Sequence, residues 1–116
     1  MWRVALYAQE IPGRRGRARL EQQAARLAIS VARRPGWWHV ATFADQSWGG
    51  GWRPGLSGLL AAAPGHYDVV AVDTKGAVAN NPRARARPDV AWGRAGVHGR
   101  RRGLGGILPV TAAAPR

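Results

Sequence analysis

The segment Arg3-Val4-Ala5-Leu6-Tyr7-Ala8 is a short, mostly apolar run, typical of a strand that is buried on both faces of a parallel sheet. Pro12 and Gly13 follow it and predict a loop. Helical periodicity then covers 17–34, and Pro35-Gly36 predicts the end of that helix. The apolar stripe of this helix consists of Leu20, Ala24, Leu27 and Val31.

Two more strands and a second helix are predicted further along the chain. The run 39–44 predicts a strand that ends at Asp45, and a shorter helix follows from Arg53-Pro54 to Ala63. The β-branched run 67–73 predicts the third strand. Strand, helix, strand, helix, strand with short connections is typical of a doubly wound sheet. We therefore predict a three-layer α/β fold with a mostly parallel sheet.

The composition changes sharply after Lys75. Of the 35 residues in 82–116, 25 are Arg, Ala, Gly or Pro, so little apolar surface is left to form a core. Low hydrophobicity combined with charge of one sign is typical of disordered segments. We therefore expect one small domain over 1–82 and a basic, disordered tail over 83–116.

The chain is strongly basic, with a formal net charge of +12 from 18 basic and 6 acidic residues. Of the basic residues only Lys75 is not an arginine. This excess favours polyanionic partners, above all nucleic acid, bound through phosphates in a salt-dependent way. A GC-rich gene gives the same bias toward Arg, Ala, Gly and Pro without selection for binding, so composition alone leaves both explanations open.

Several classes of site and location are disfavoured by the sequence. With no cysteine, disulfides and thiolate metal sites are excluded. His39, His66 and His98 do not have ligand spacing, so we expect neither a metal nor a cofactor. The chain has no apolar run of the roughly 20 residues that a membrane span needs. Because the N-terminus is also a poor secretion signal, we expect a cytoplasmic protein.

Six separate segments, in order and with matching spacing, resemble the catalytic domain of the serine recombinases, the resolvase/invertase family. The resemblance covers residues 3–72 and implies that the chain is a truncated and degenerate member of that group. The matching segments are Arg3–Ala8, Leu20–Gln23, Arg34–Trp37, Phe43–Asp45, Arg53–Leu56 and Tyr67–Val72.

This resemblance implies a reaction that the chain is poorly equipped to perform. In the family a serine hydroxyl after the first strand attacks a DNA phosphate, and arginines stabilise the transferring phosphoryl group. The serine position here is Ile11, and the nearby arginine position is Gln9. After the third strand, the aspartate position is Lys75 and the two arginine positions are Gly76 and Ala79. The resemblance therefore implies a domain without strand-cleaving activity.

Two residues of the implied catalytic region are retained, Asp45 and Arg53. Both also have structural interpretations, because Asp45 ends a strand and can bond the loop backbone, and Arg53 precedes a helix-starting proline. Ser47 is the one serine predicted at the correct sheet edge, but no base is predicted beside it. The candidate phosphate-binding residues are Arg53, Lys75, Arg83, Arg85 and Arg87.

Several functional hypotheses remain open from the sequence. The first is a recombinase-like, DNA-associated domain that does not cleave DNA. The alternative is a small basic nucleic-acid-binding protein that uses the Arg-rich segment after residue 82 as a flexible arm. The same segment also has the composition that a displaced reading frame of GC-rich DNA would encode. The oligomeric state is not indicated.

Overall fold

The computed structural model describes residues 1–47, 53–62 and 65–73, together with the backbone of 90–92 and 106–112. These residues form five strands and two helices. In chain order the elements are β1 (Trp2–Glu10), α1 (Gly16–Ala32), β2 (Trp37–Gln46), α2 (Pro54–Ala62), β3 (Val69–Val72), β4 (Val90–Trp92) and β5 (Gly106–Ala112).

The strands lie in one sheet in the order β2-β1-β3-β5-β4. β1 pairs in parallel with both β2 and β3, so each connection crosses over through a helix. The register places Tyr7 opposite both Phe43 and Val72. All three parallel strands therefore end at the same edge of the sheet, which we call the carboxyl edge.

The two helices cover opposite faces of these parallel strands. On one face Leu27 and Val31 of α1 pack with Val4 and Leu6 of β1. On the other face Leu56 and Leu59 of α2 belong to the same buried cluster as Tyr7. The predicted α/β fold with a three-strand parallel sheet between two helices is confirmed, because alternate residues of β1 supply both cores.

β4 and β5 differ from the disorder predicted for 83–116. β5 pairs antiparallel with β3, and β4 pairs antiparallel with β5. The register places Ala71 opposite Ile107. Without β5, one edge of the buried β3 would have no backbone partner, and unpaired edges in a core are costly. The apolar patch 107–110 is therefore part of an additional strand, and 83–89, 93–105 and 113–116 lie outside the described residues.

At the opposite, amino edge of the sheet, Arg3 is bonded to the segment before β3. Its guanidinium donates hydrogen bonds to both carboxylate oxygens of Asp68, and its Nη1 also bonds the Gly65 carbonyl. This pairing lowers the pKa of Asp68, with the hydrogen bonds from Arg3 as the main cause. Within the described ranges, no helix has both the length and the apolar character needed to cross a membrane.

Candidate functional site at the carboxyl edge

The carboxyl edge brings together the ends of β1 and β2 and the start of α2. Ligands of doubly wound sheets usually bind at this edge. The polar groups placed here include Tyr7 and Gln9 of β1, Asp45 and Ser47 at the end of β2, and Arg53 just before α2.

Asp45 is almost completely buried, with 4% of its surface exposed, and both oxygens of its carboxylate accept hydrogen bonds. Oδ1 accepts a hydrogen bond from the Gly55 amide at 2.7 Å, and Oδ2 accepts one from the Leu56 amide at 2.8 Å. The Tyr7 hydroxyl donates a third bond to Oδ2 at 2.7 Å. Asp45 therefore joins β1, β2 and the first turn of α2, where helix amides would otherwise lack acceptors.

Tyr7 is kept in its neutral form by the same contacts. Burial raises the pKa of its phenol, and the hydrogen bond to Asp45 and the charge of that carboxylate raise it further. Arg53 opposes this increase of the pKa through its positive charge and a hydrogen bond to Tyr7. Tyr7 is thus a hydrogen-bond donor at neutral pH and is not available as a phenolate nucleophile.

The position of the expected nucleophile is occupied by the aliphatic side chain of Ile11, which is 49% exposed. Its amide donates a hydrogen bond to the side chain of the neighbouring Glu10 at 3.2 Å. This location therefore presents a carboxylate and an alkyl group, and neither favours attack on a phosphate.

The buried Gln23 and the partly buried Gln9 form a polar junction between α1 and β1. The Gln23 side chain accepts a hydrogen bond from the Gln9 amide at 2.9 Å and donates one to the Gln9 carbonyl at 3.1 Å. β3 ends at Val72, opposite Tyr7, so it does not reach Gln9. The Gln23 carboxamide thus provides the donor and acceptor that a neighbouring strand would provide.

We expect Gln23→Leu to lower the free energy of unfolding by about 2 kcal/mol, because the partly buried backbone donor and acceptor of Gln9 lose their partners. Gln22→Leu is the matched control, since Gln22 is the exposed neighbour on the same helix. Its effect should stay within about 0.5 kcal/mol. Urea unfolding of both variants measures the difference, and equal effects would contradict a structural role for the Gln23 amide.

Ser47 does not have the surroundings of a nucleophile. It is 8% exposed, and its hydroxyl accepts a hydrogen bond from the Gln9 side chain at 3.2 Å. Its amide is also bonded to the Glu10 carbonyl at 3.0 Å. Ser30 lies within α1, and Ser57 is exposed on α2.

Two of the histidines are described, and they lie apart from this edge. His39 contacts Thr42 on β2 at 2.7 Å, and His66 follows α2. Among the described residues, no group of three or more His, Cys, Asp or Glu side chains is arranged to hold a metal ion.

Of the predicted site residues, the structure brings Asp45 and Arg53 together around Tyr7. Lys75, Arg83, Arg85 and Arg87 lie outside the described residues.

The roles of Tyr7 and Gln23 were not predicted from the sequence. Gln23 had a detectable signal, because it lies three residues after Leu20 and four before Leu27, on the apolar side of the predicted helix. The hydrogen bond from Tyr7 to Asp45 had no detectable signal in the sequence, because it depends on how β1 and β2 are aligned.

Comparison with known protein families, with curated proteins and with solved structures finds no match in any of the three. The fold and the geometry of the site are therefore the basis of the functional argument.

Proposed function

We propose that this protein is a cytoplasmic, DNA-associated domain of the serine-recombinase type that binds phosphates without cleaving them. The observation that carries the proposal is the set of side chains at the carboxyl edge and their hydrogen bonds. The oxygen-bearing side chains of this edge are engaged in structural hydrogen bonds, and an isoleucine occupies the nucleophile position. The proposed partner follows from the net charge of +12.

Three details support binding without catalysis. Asp45 is buried and accepts three hydrogen bonds from β1 and α2, so its carboxylate has a structural role. Arg53 lies beside the Tyr7 hydroxyl, where its charge is close to the carboxyl edge. Gln9 replaces the arginine that the family places next to its nucleophile, and its side chain is bonded to Ser47.

Incubation with supercoiled DNA tests the proposal. We expect retarded DNA in a native gel, weaker retardation as salt rises, and neither nicks nor covalent protein–DNA adducts. Ile11→Ser should not restore nicking, because Gln9, Gly76 and Ala79 still lack the cationic groups that stabilise the phosphoryl group. Covalent adducts with the unmodified chain would contradict the absence of catalysis, and no retardation at low salt would contradict DNA binding.

The alternative function is nucleic-acid binding through an arginine-rich arm. It is tested by substitutions in the arm rather than by truncation of the chain. Deleting 83–116 would remove β5 and leave one edge of β3 without its partner strand, so lost binding could follow from lost folding. Replacing Arg83, Arg85 and Arg87 by Gln leaves β4 and β5 unchanged. If the arm is the main DNA contact, this triple variant, which removes three of the eight arginines in 83–116, should reduce the slope of log affinity against log salt by up to about 2.7.

A further inference from the structure

α1 carries arginines at a regular spacing of seven residues, Arg19, Arg26 and Arg33. We call these three residues the arginine row. Seven residues are 20° short of two helical turns, so the row stays on one face of the helix within roughly 40°. Arg33 follows the last residue of α1 but keeps helical backbone angles, with φ −80° and ψ −7°. All three side chains are exposed.

The acidic residues of the described part leave most of this row without a counter-charge. Glu10 accepts a hydrogen bond from the Ile11 amide, and Asp45 is buried with Tyr7. Asp68 is bonded to Arg3, and a Glu21 carboxylate oxygen lies 3.5 Å from Arg17 Nε. Only the middle member of the row has an acidic neighbour, because Arg26 Nη2 lies 3.7 Å from Asp73 Oδ2. Exposed pairs of this length contribute little, so Arg26 remains able to exchange its partner for a phosphate.

We propose that the arginine row is the surface that contacts the phosphate backbone of duplex DNA. This inference rests on the proposed function and assigns that function to a specific helix. The row is about 21 Å long at 1.5 Å per residue, which corresponds to about six base pairs of duplex at 3.4 Å each. The charge of the row is complementary to that backbone, whereas α1 carries no aromatic side chain on which unpaired bases could stack.

This surface differs from the candidates that the sequence indicates. Arg53 lies at the carboxyl edge beside Tyr7, whereas the row follows one flank of α1, beside the buried stripe that contains Leu27. The row binds DNA through sequence-independent phosphate contacts, so it predicts affinity that depends strongly on salt and weakly on base sequence.

Two double variants of the full chain test the assignment against a simple loss of charge. Arg19→Gln with Arg33→Gln removes the ends of the row. Arg14→Gln with Arg17→Gln is the matched control, because it also lowers the net charge by two, in the preceding loop and on another flank of α1. Glutamine is a good helix former, and circular dichroism verifies that both variants fold. Binding of a fluorescent 20-base-pair duplex is then measured by anisotropy at several salt concentrations.

We expect removal of the row ends to reduce the slope of log affinity against log salt by about two, since each lost phosphate contact contributes about 0.9. The control pair should change the slope by less than about 0.5. Equal changes in the two variants would overturn the row as the interface while leaving DNA binding intact. Failure of the unmodified chain to bind duplex DNA would overturn the proposed function itself, and binding restricted to single-stranded RNA would overturn the duplex partner.

A second comparison tests whether the negative charge of Asp73, beside Arg26, weakens the binding of DNA to the row. Asp73→Asn removes the acidic neighbour of Arg26 and should tighten duplex binding a few-fold at low salt. Glu21→Gln makes the same change of charge beside Arg17, away from the row, and should tighten binding less. Equal tightening in both variants would count against the row.

Discussion

Replacing Asp45 by alanine is expected to lower the free energy of unfolding by about 4 kcal/mol. The substitution removes three hydrogen bonds to a buried carboxylate, from Tyr7, Gly55 and Leu56. Hydrogen bonds to charged groups contribute about 1.5 to 3 kcal/mol each, and buried donors that lose their acceptor are costly. Domains of this size are only marginally stable, so the variant is expected to be largely unfolded at 37 °C.

Thermal and urea unfolding of Asp45→Ala and two comparison variants distinguish the loss of these hydrogen bonds from the simple loss of a carboxylate. Asp45→Asn keeps one acceptor oxygen but directs an NH2 group at another donor, so its cost should lie between wild type and Asp45→Ala. Asp73→Ala is the matched control, because that carboxylate is partly exposed and makes one 3.7 Å ion pair. Its effect should stay within about 0.5 kcal/mol. A cost below about 1 kcal/mol for Asp45→Ala would show that this carboxylate does not join the elements as described.

Gly55→Ala is expected to destabilise the fold by about 3 kcal/mol through a backbone collision. A Cβ at this position would lie 2.7 Å from the carbonyl carbon of Ala44 and closer still to its oxygen. Both atoms belong to β2, so relief requires α2 to move away from the sheet. That movement would also lengthen the bonds between Asp45 and the first turn of α2.

Gly58→Ala is the matched control, one turn further along α2. A Cβ there meets only the Phe43 ring, at 3.4 Å, which is an ordinary contact distance. Alanine forms helices more readily than glycine by about 1 kcal/mol, so this variant should equal or exceed the stability of wild type. By differential scanning calorimetry, the melting temperature of Gly55→Ala should therefore lie below that of wild type, and that of Gly58→Ala should equal or exceed it. A stable Gly55→Ala variant would contradict the close packing of α2 against β2.

The parallel part of the fold could be predicted from the sequence because each element carries a local periodic pattern. The apolar run around Val4 and the stripe through Leu27 both indicate which side chains are buried, and the alternation of elements indicates a parallel sheet. The role of Asp45 was predicted in part, since a strand-ending aspartate commonly bonds nearby backbone. Its partners in α2 follow from a close approach at Gly55 that no local pattern encodes.

The strand pairing beyond β3 could not be predicted, because the patch 107–110 is short, interrupted by Pro109 and preceded by glycines. Its structure depends on the free edge that β3 presents, which is a property of the sheet and not of the patch. The same holds for Gln23. Its helical position predicts burial, but its partner is fixed by the point at which β3 ends.

The central location of β1 has a consequence for how the protein is made. β1 leaves the ribosome before β2 and β3, and both neighbours are separated from it by a long stretch of chain, as the pairings Val4 with His39 and Val4 with Val69 demonstrate. Contacts between distant residues slow folding, and domains complete their structure only after synthesis of the whole unit. A nascent chain halted before residue 69 would therefore present a bare apolar strand, making it a substrate for chaperones and proteases.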